Sequence, residues 1–283
     1  MRLIRFIHND GRVHTGARED NRVRDLGAHS PLSALAPDAL AAAPLVSFDA
    51  QKLEVPLPSV GKILALAGNY HKHVAESGFS GPKGGIWTPQ IFWKPSSALL
   101  RPGGTVHLRR KNNFLDWEVE LAVVIGRQAR DVAPEDAMRC VFGYTIFNDL
   151  SERKYNAEIE NRDKREFDAF FDWLMGKWFD GSAPIGPEIV TADEVPDPAG
   201  LRLRLWLNGE LMQDSNTKHM IFQIPETIAA ITAVLTLEPG DVIAMGTPEG
   251  VGFARGRPLR PGDHLRAEIE GLGHLDTYIG EEQ

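Results

Sequence analysis

Alternating apolar and polar side chains predict β-strands along most of this chain. Residues 3–7 and 201–207 interleave apolar with charged side chains, as half-buried strands do. Residues 63–67 and 141–147 are short, nearly continuous apolar runs, which we also interpret as strands. Pro-Gly pairs at 102, 239 and 261 predict tight turns, because the third turn position then needs the positive φ that glycine tolerates.

Helices are predicted to be few. The candidates are the Ala- and Leu-rich residues 31–45, residues 151–174, and residues 224–235, where Pro225 fits a first helical turn. The Pro-containing residues 55–59 resemble a linker, and the residue pattern changes after them. We therefore expect a small N-terminal β-rich domain in residues 1–57 and a larger domain in residues 58–283.

One predicted strand has its polar residues in an unexpected place. Residues 116–126 read Asp-Trp-Glu-Val-Glu-Leu-Ala-Val-Val-Ile-Gly, so alternation places Asp116, Glu118 and Glu120 on one face. Carboxylates at the edge of a core repel one another and lose hydration, a cost that a cation or arginines can offset. A divalent metal site is one interpretation, and an edge strand with a solvated acidic face is the other.

A second acidic position follows the apolar run 141–147. Asp149 either caps a helix that begins at about residue 151 or joins the carboxylates of the first strand as a metal ligand. An all-oxygen ligand set without histidine or cysteine favours a hard cation over zinc.

Composition restricts the class of protein. The chain has 283 residues, of which 42% are hydrophobic and 25% charged, as in ordinary globular proteins. The single cysteine, Cys140, excludes an intramolecular disulfide and suits the cytoplasm. The N-terminus does not resemble a signal peptide, and no run approaches the roughly 20 apolar residues of a membrane span. The net charge of −8 argues against nucleic acid as a partner.

Four separated segments combine polar or glycine-rich residues with apolar strands. They are residues 68–76 (Gly-Asn-Tyr-His-Lys-His-Val-Ala-Glu), the carboxylate strand with Asn148-Asp149, residues 176–180 (Gly-Lys-Trp-Phe-Asp) and residues 246–252 (Gly-Thr-Pro-Glu-Gly-Val-Gly). In this order they closely resemble the fumarylacetoacetate hydrolase superfamily, over roughly residues 60 to 270. The resemblance implies a mixed, mostly β fold, in which residues 58–283 form a β-roll catalytic domain. It also implies a homodimer and a divalent metal, Mg²⁺ or Mn²⁺, with Ca²⁺ as another occupant.

The resemblance assigns roles to individual residues. Glu118, Glu120 and Asp149 stand where the family's three metal ligands stand. His73 and Glu76 match its catalytic pair in Asn-Tyr-x-x-His-x-x-Glu, and a spacing of three puts both on one face of a helical turn. An exposed loop is the alternative structure for that segment.

Lys177 matches a lysine that would stabilise a developing oxyanion or a substrate carboxylate.

Substrate contacts are implied by three further positions. Thr247 stands where the family binds the substrate carboxylate, and Arg153 would pair either with a ligand carboxylate or with substrate. Asn156 follows Arg153 where many relatives carry Asp-x-Gln with a substrate-binding glutamine, so the chain departs from the pattern there. Residues 156–175 read as a charged helix ending in an aromatic patch that covers the active site or forms a dimer contact.

The favoured reaction is metal-dependent hydrolysis of a carbon–carbon bond in a 2,4-diketo acid, an acylpyruvate or a 2,4-diketo-3-deoxy sugar acid. It releases pyruvate and a carboxylic acid, and the His73–Glu76 pair favours such a step because it needs a base. Relatives that decarboxylate oxaloacetate, hydrate 2-oxo-enoates or isomerise hydroxymuconates share the scaffold and remain alternatives. A non-catalytic β protein with structural Ca²⁺ or Mg²⁺ is the hypothesis from another class.

Overall fold

The structure is a computed structural model that describes residues 1–28, 37–49, 52–78, 87–108, 114–155 and 161–281. Within these residues the strands are β1 Arg2–Ile7, β2 Val13–Glu19, β3 Arg22–Asp25, β4 Leu45–Ser47, β5 Leu53–Glu54, β6 Ile63–Ala67, β7 Gln90–Lys94, β8 Leu99–Leu100, β9 Thr105–His107, β10 Leu115–Asp116, β11 Val119–Ile125, β12 Val141–Asn148, β13 Ser151–Glu152, β14 Ala183–Thr191, β15 Arg202–Leu207, β16 Glu210–Asn216, β17 Val242–Ala244, β18 His264–Ile269 and β19 Gly273–Gly280. The α-helices are α1 Pro37–Ala42, α2 His71–Glu76, α3 Pro134–Ala137, α4 Asp168–Met175, α5 Ile224–Thr232 and α6 Gly252–Arg255. Among the helices so described, none is long and apolar enough to cross a lipid bilayer.

The strands form a large sheet, a five-stranded sheet and a two-stranded ribbon. The large sheet runs β4-β3-β2-β1-β14-β12-β11-β17-β6-β7, with β5 beside β1 and β8 beside β14. The N-terminal strands continue this sheet, because β1 pairs antiparallel with β14. The five-stranded sheet runs β16-β15-β18-β19-β9, and the ribbon joins β10 to β13.

Strand directions bring four strand ends to one edge of the large sheet. β11 begins at Val119 opposite Asn148, where the antiparallel β12 ends. β17 is antiparallel to β11 and parallel to β6, so the loops after β17 and β6 leave at the same edge. The predicted motifs therefore converge there although they are far apart in the chain.

The core lies between the large and the five-stranded sheets. Trp117, Leu121, Leu203 and Leu265 are fully buried members of it, and β11, β12 and β14 face β15, β18 and β19. Burying one such leucine contributes about 1.5–3 kcal/mol, so this interface anchors the strand ends that carry polar groups.

Much of the predicted secondary structure is confirmed. Strands occupy residues 63–67 and 202–207, and the burial of β15 alternates as expected. β12 covers residues 141–148, and α5 begins at residue 224 with Pro225 in its first turn. The Pro-Gly turns place Gly103, Gly240 and Gly262 at φ of 66°, 92° and 88°. The chain is mostly β with few helices, as predicted, whereas the domain division at residue 57 stays a prediction.

Several predictions need correction. Residues 116–126 are not one strand, because two backbone N–H groups donate to side chains rather than to a neighbouring strand. The Trp117 N–H donates to Asp116 Oδ1 (2.8 Å), and the Glu118 N–H donates to Asn148 Oδ1 (2.9 Å). The acidic face is not solvated, because β11 lies between β12 and β17 and is buried throughout.

The predicted helices at 151–174 and 31–45 are also shorter than expected. β13 pairs with β10 at residues 151–152, so tertiary pairing overrides local helix propensity there, and α4 begins only at Asp168. α1 ends at Ala42, and Leu45 already pairs in β4 with Arg24. Residues 29–36 and 156–160 lie outside the described residues.

Candidate active site and metal centre

The three predicted metal ligands meet at the converging strand ends. One carboxylate oxygen each from Glu118, Glu120 and Asp149 lies within 4.8 Å of the other two, and all three side chains are buried. Asp149 is not a helix cap, since β13 rather than a helix follows it. The structure therefore brings Asp149 to two glutamates that precede it by 31 and 29 residues in the sequence.

Backbone hydrogen bonds hold these carboxylates in place. The Glu118 N–H donates to Asn148 Oδ1, and the Asp149 N–H donates to the Glu118 carbonyl oxygen, at 2.9 Å each. The Gly246 N–H donates to Glu120 Oε2 at 2.7 Å, so the loop after β17 is tied to the ligand on β11. The side chains are thus preorganised by the sheet edge.

Two buried lysines and the partly buried Arg153 neutralise much of this negative charge. Lys177 Nζ donates to Glu118 Oε2 (2.8 Å) and to Asp149 Oδ2 (2.6 Å). Arg153 binds Asp116 Oδ2 through Nε at 2.8 Å and also binds Glu118. Of the two partners that the sequence allowed for Arg153, a ligand carboxylate or the substrate, the structure shows the carboxylate of Glu118.

The third cation, Lys94, was missed by sequence reasoning. Its Nζ lies 2.6 Å from Asp149 Oδ1 and also donates to the Lys177 carbonyl oxygen. A signal was present: Lys94 stands two residues after Phe92, in phase with the buried face of β7. A lysine at such a position requires a buried partner.

The carboxyl groups differ in how easily they ionise. Burial opposes ionisation of Glu118, but Arg153 and Lys177 hold its pKa at about 2. Burial raises the pKa of Glu120 well above its ordinary value, and the charges of Asp149 and Glu118 raise it further. Glu120 is thus the ligand whose negative charge the protein compensates least.

A hard divalent cation fits this site. Three carboxylate oxygens converge, and the positive charge of a divalent cation bound between them would favour the ionised form of Glu120. Glu118, Glu120 and Asp149 would hold such an ion, and all of them are the oxygen donors that Mg²⁺ and Mn²⁺ prefer. Nitrogen or sulfur donors would have indicated zinc instead.

His73 and Glu76 form the expected pair on α2, so the segment is a helix and not an exposed loop. His73 Nδ1 lies 2.9 Å from Glu76 Oε1, and His73 is buried. Because a carboxylate only accepts, Nδ1 carries the proton and Nε2 of the neutral ring is left as the basic nitrogen. In its protonated form His73 would help to lower the pKa of Glu118, so the ring lies near the three carboxylates.

Thr247 lies in the loop that also carries Gly246. Its hydroxyl donates to the Val119 carbonyl oxygen at 3.0 Å and accepts from Gln213 Nε2 at 2.9 Å. The structure therefore places Thr247 next to Glu120 but shows its hydroxyl bound to protein, and its contact with substrate stays a prediction. Asn156 lies outside the described residues.

Two further polar residues support the site and were not predicted. Gln213 on β16 links the start of β11 to the loop after β17. It donates to the Thr247 hydroxyl and to the Pro248 carbonyl oxygen, and it accepts from the Val119 N–H (3.1 Å). Tyr70, next to α2, is buried and its hydroxyl has no hydrogen-bond partner among the described residues. Burial raises the pKa of Tyr70, and the charges of Glu120 and Glu249 raise it further.

Comparisons with known proteins agree with this arrangement. An uncharacterised protein of Pyrococcus abyssi is 44% identical over 218 residues, which cover 77% of this chain and 89% of the relative. The structure of maleylpyruvate hydrolase from Sphingobium sp. SYK-6, in complex with manganese(II) and pyruvate, is 33% identical and covers 100% of both chains with a TM-score of 0.76. The 5-carboxymethyl-2-hydroxymuconate delta-isomerase from Mycobacterium smegmatis is 30% identical and also covers 100% of both chains, with a TM-score of 0.78.

The family match covers every site residue named above. The sequence profile described as fumarylacetoacetate (FAA) hydrolase, C-terminal, matches residues 62–279, which begin just before β6 and include all four sequence motifs. The profile, the converging carboxylates and the His73–Glu76 pair lead to the same assignment. The chain belongs to the fumarylacetoacetate hydrolase family and is an enzyme of that superfamily.

Proposed function

We propose that this enzyme hydrolyses a carbon–carbon bond in a 2,4-diketo acid of the acylpyruvate type, including 2,4-diketo-3-deoxy sugar acids. Water adds to the 4-carbonyl, the bond between carbons 3 and 4 breaks, and the products are a carboxylic acid and pyruvate. The observation that carries this proposal is the His73–Glu76 pair beside the acidic triad, because hydrolysis needs a base that activates water.

Each side chain has a role that follows from its contacts. His73 Nε2 accepts a proton from water, and Glu76 stabilises the imidazolium that forms. The buried Lys177 ammonium stabilises the negative charge that develops on the enolate of pyruvate. When bound at Glu118, Glu120 and Asp149, Mg²⁺ or Mn²⁺ supplies Lewis acidity toward the keto and carboxylate oxygens of the substrate.

Arg153 acts as a positioning residue in this proposal. It binds both Asp116 and Glu118, so it holds one metal ligand in its orientation. Thr247, with the amides of its loop, is proposed to receive the substrate carboxylate, and Asn156 to contact the substrate's tail.

Two relatives support different reactions on this scaffold. The Sphingobium enzyme named maleylpyruvate hydrolase, solved with manganese(II) and pyruvate, supports hydrolysis with release of pyruvate. The Mycobacterium smegmatis enzyme is named an isomerase, so isomerisation of a hydroxymuconate is the second candidate. Decarboxylation and hydration of related 2-oxo acids would use the same enolate-stabilising groups.

Product analysis distinguishes these reactions. Purified enzyme with Mg²⁺ or Mn²⁺ is supplied with acylpyruvates, oxaloacetate, 2-oxo-enoates and hydroxymuconates, and the products are identified by mass. We expect acylpyruvates to give pyruvate and the matching acid. A product of unchanged mass would instead establish isomerisation. Loss of CO₂ would establish decarboxylation, and gain of water without cleavage would establish hydration.

The substitution His73→Ala tests the base. We expect kcat to fall about 10²- to 10⁴-fold, while Mn²⁺ affinity measured by calorimetry stays unchanged, because His73 is not a metal ligand. His71→Ala is the matched control on the same helix and should keep its activity. Full hydrolase activity in His73→Ala would refute the assignment.

A homodimer in the cytoplasm is also proposed. Phe167, Phe170 and Phe171 are exposed on and beside α4, and Trp93 is exposed on β7, the edge strand of the large sheet. Exposed aromatic side chains, and a sheet edge that pairs with no other strand among the described residues, both suit a contact with a second copy.

A further inference from the structure

A second cluster of metal-binding side chains lies in the N-terminal strands. The sequence His-Asn-Asp-Gly-Arg-Val-His spans the turn after β1 and the first two residues of β2, and it brings His8, Asp10 and His14 together. One potential ligand atom of each lies within 4.8 Å of the other two. None of these residues belongs to the active site described above.

His14 is oriented by a buried carboxylate. Its Nδ1 lies 2.9 and 2.8 Å from the two oxygens of Asp25, and Asp25 in turn accepts the Gly27 N–H at 2.8 Å. This places the proton on Nδ1 and directs Nε2 to the other side of the ring. Most histidine ligands of metals donate their other ring N–H to an acceptor of this kind, which is a carboxylate, a backbone carbonyl or water.

Nε2 of His14 faces a second carboxylate. The distance from Nε2 to Asp10 Oδ2 is 3.1 Å. Because both Nδ1 and Nε2 face oxygens that only accept, the space at Nε2 has to hold either a proton or a metal ion. A metal ion there would use the lone pair of Nε2 and the charge of Asp10 together.

His8 completes the donor set. Its Nδ1 lies 3.3 Å from both the backbone N–H nitrogen and Oδ1 of Asp10, and its ring stacks on that of His14 with centroids 4.3 Å apart. Stacked rings direct their lone pairs in parallel, so His8 has to turn to share an ion with His14. The proposal requires this rotation of His8, which directly follows the end of β1 and whose side chain is 26% exposed.

Asp10 is neutralised in this structure by a side chain that can leave. Arg12 Nη2 lies 2.7 Å from Asp10 Oδ2, and the Arg12 side chain is 66% exposed. Exposed ion pairs of this kind contribute little, because water solvates the guanidinium almost as well. A divalent cation with two histidine ligands would replace Arg12.

We propose that His8, Asp10 and His14 bind a divalent transition metal ion of the Zn²⁺ class, with Asp25 as the residue that orients His14. Two imidazoles and one carboxylate favour Zn²⁺ over Mg²⁺, in contrast to the all-oxygen site. The ion would join the turn after β1 to β2 and, through Asp25, to β3. It would act as a structural clamp of the N-terminal strands and take no part in the chemistry.

Untagged protein in excess Mg²⁺ is titrated with Zn²⁺ by calorimetry and with Co²⁺ by visible absorption. We expect one Zn²⁺ per chain, a rise in melting temperature, and the stronger visible absorption of nitrogen-ligated Co²⁺. His8→Gln and His14→Gln should lose all three signals. Asp25→Asn should weaken Zn²⁺ binding about 10- to 100-fold.

His264→Gln is the matched control, because His264 also lies 2.8 Å from an aspartate, Asp276, on the five-stranded sheet. It should bind Zn²⁺ as the wild type does. His8→Gln is the decisive variant, since replacing the buried His14 could unfold the turn. Equal Zn²⁺ affinity in wild type and a folded His8→Gln, or no Zn²⁺ binding by the wild type in excess Mg²⁺, would overturn the proposal.

Discussion

At the scale of single residues, Lys94 shows how closely the fold and the metal site are connected. Its ammonium is fully buried and joins a ligand carboxylate, Asp149, to the main chain at Lys177. Ser182 Oγ donates to the same carbonyl oxygen at 2.9 Å, so the chain around Lys177 is held by two donors. Burial lowers the pKa of Lys94, and Asp149 opposes this by favouring the charged form.

Lys94→Met should lower the free energy of unfolding of the metal-free protein by about 3 kcal/mol, because Asp149 loses one of its two buried cations. A divalent ion would then neutralise Asp149, so Mn²⁺ should raise the melting temperature more in the variant than in the wild type. Calorimetric scans with and without Mn²⁺ measure both effects. Lys218→Met, at an exposed turn, is the control and should match the wild type.

If Mn²⁺ raised the melting temperature equally in Lys94→Met and in the wild type, Lys94 would not share Asp149 with the metal. The two proteins can be compared in this way because they differ only in the cation that neutralises Asp149.

At the scale of elements, α2 is attached to the loop after β17 by two contacts. Glu76 Oε2 accepts the Gly250 N–H at 2.8 Å, while its other oxygen binds His73. Lys72 pairs with Glu249 at 3.2 Å, but the lysine side chain is 77% exposed. Glu76 therefore both attaches α2 to the loop and orients His73, whereas Lys72 only attaches the helix.

Glu76→Ala should therefore lower kcat strongly, by about 10²-fold or more, because His73 loses the carboxylate that stabilises its cation. Lys72→Ala breaks the other contact between the same helix and loop, and it should change the free energy of unfolding by at most about 1 kcal/mol and leave kcat unchanged. Steady-state kinetics of both variants decide the matter. If Lys72→Ala lost as much activity as Glu76→Ala, docking of α2 rather than orientation of His73 would be the controlling factor.

At the scale of the whole molecule, the charges of the site indicate that the fold does not depend on the ion. Lys94, Lys177 and Arg153 compensate the buried carboxylates, and the raised pKa of Glu120 favours its neutral form when no metal is bound. The metal is thus expected to be required for chemistry and only modestly for stability.

Removal of metal by EDTA should abolish activity reversibly and lower the melting temperature by about 5–10 °C relative to protein at 100 Kd of Mn²⁺. The His8→Gln variant is the suitable background, because the N-terminal cluster then contributes nothing. Activity that survives chelation would contradict the metal-dependent mechanism. Irreversible unfolding would show that the triad needs the ion to fold.

The aromatic patch around α4 predicts the oligomeric state. Phe167, Phe170 and Phe171 are 63%, 56% and 56% exposed. Replacing Phe167 and Phe171 together by serine should convert a dimer to a monomer, with the mass measured by light scattering. Val234→Ser is the control, because Val234 is an exposed apolar residue in the turn after α5. An unchanged mass with a raised KM would instead indicate that the patch covers the active site.

The sequence by itself determined the local structure and most of the chemistry. Alternation set which residues of β15 face the core, Pro-Gly pairs set the turns, and four ordered motifs indicated the family and the triad of Glu118, Glu120 and Asp149. These features depend on side-chain period, on φ preferences and on residue type, all of which a linear pattern contains.

Only the tertiary structure decided which distant groups meet. Lys94 reaches Asp149 across 55 residues of chain, and pairing of β13 with β10 replaced the helix expected after residue 151. Likewise, β11 is buried between two strands rather than solvated at an edge. Burial and partner choice arise from packing between segments far apart in sequence, so no local pattern contains them.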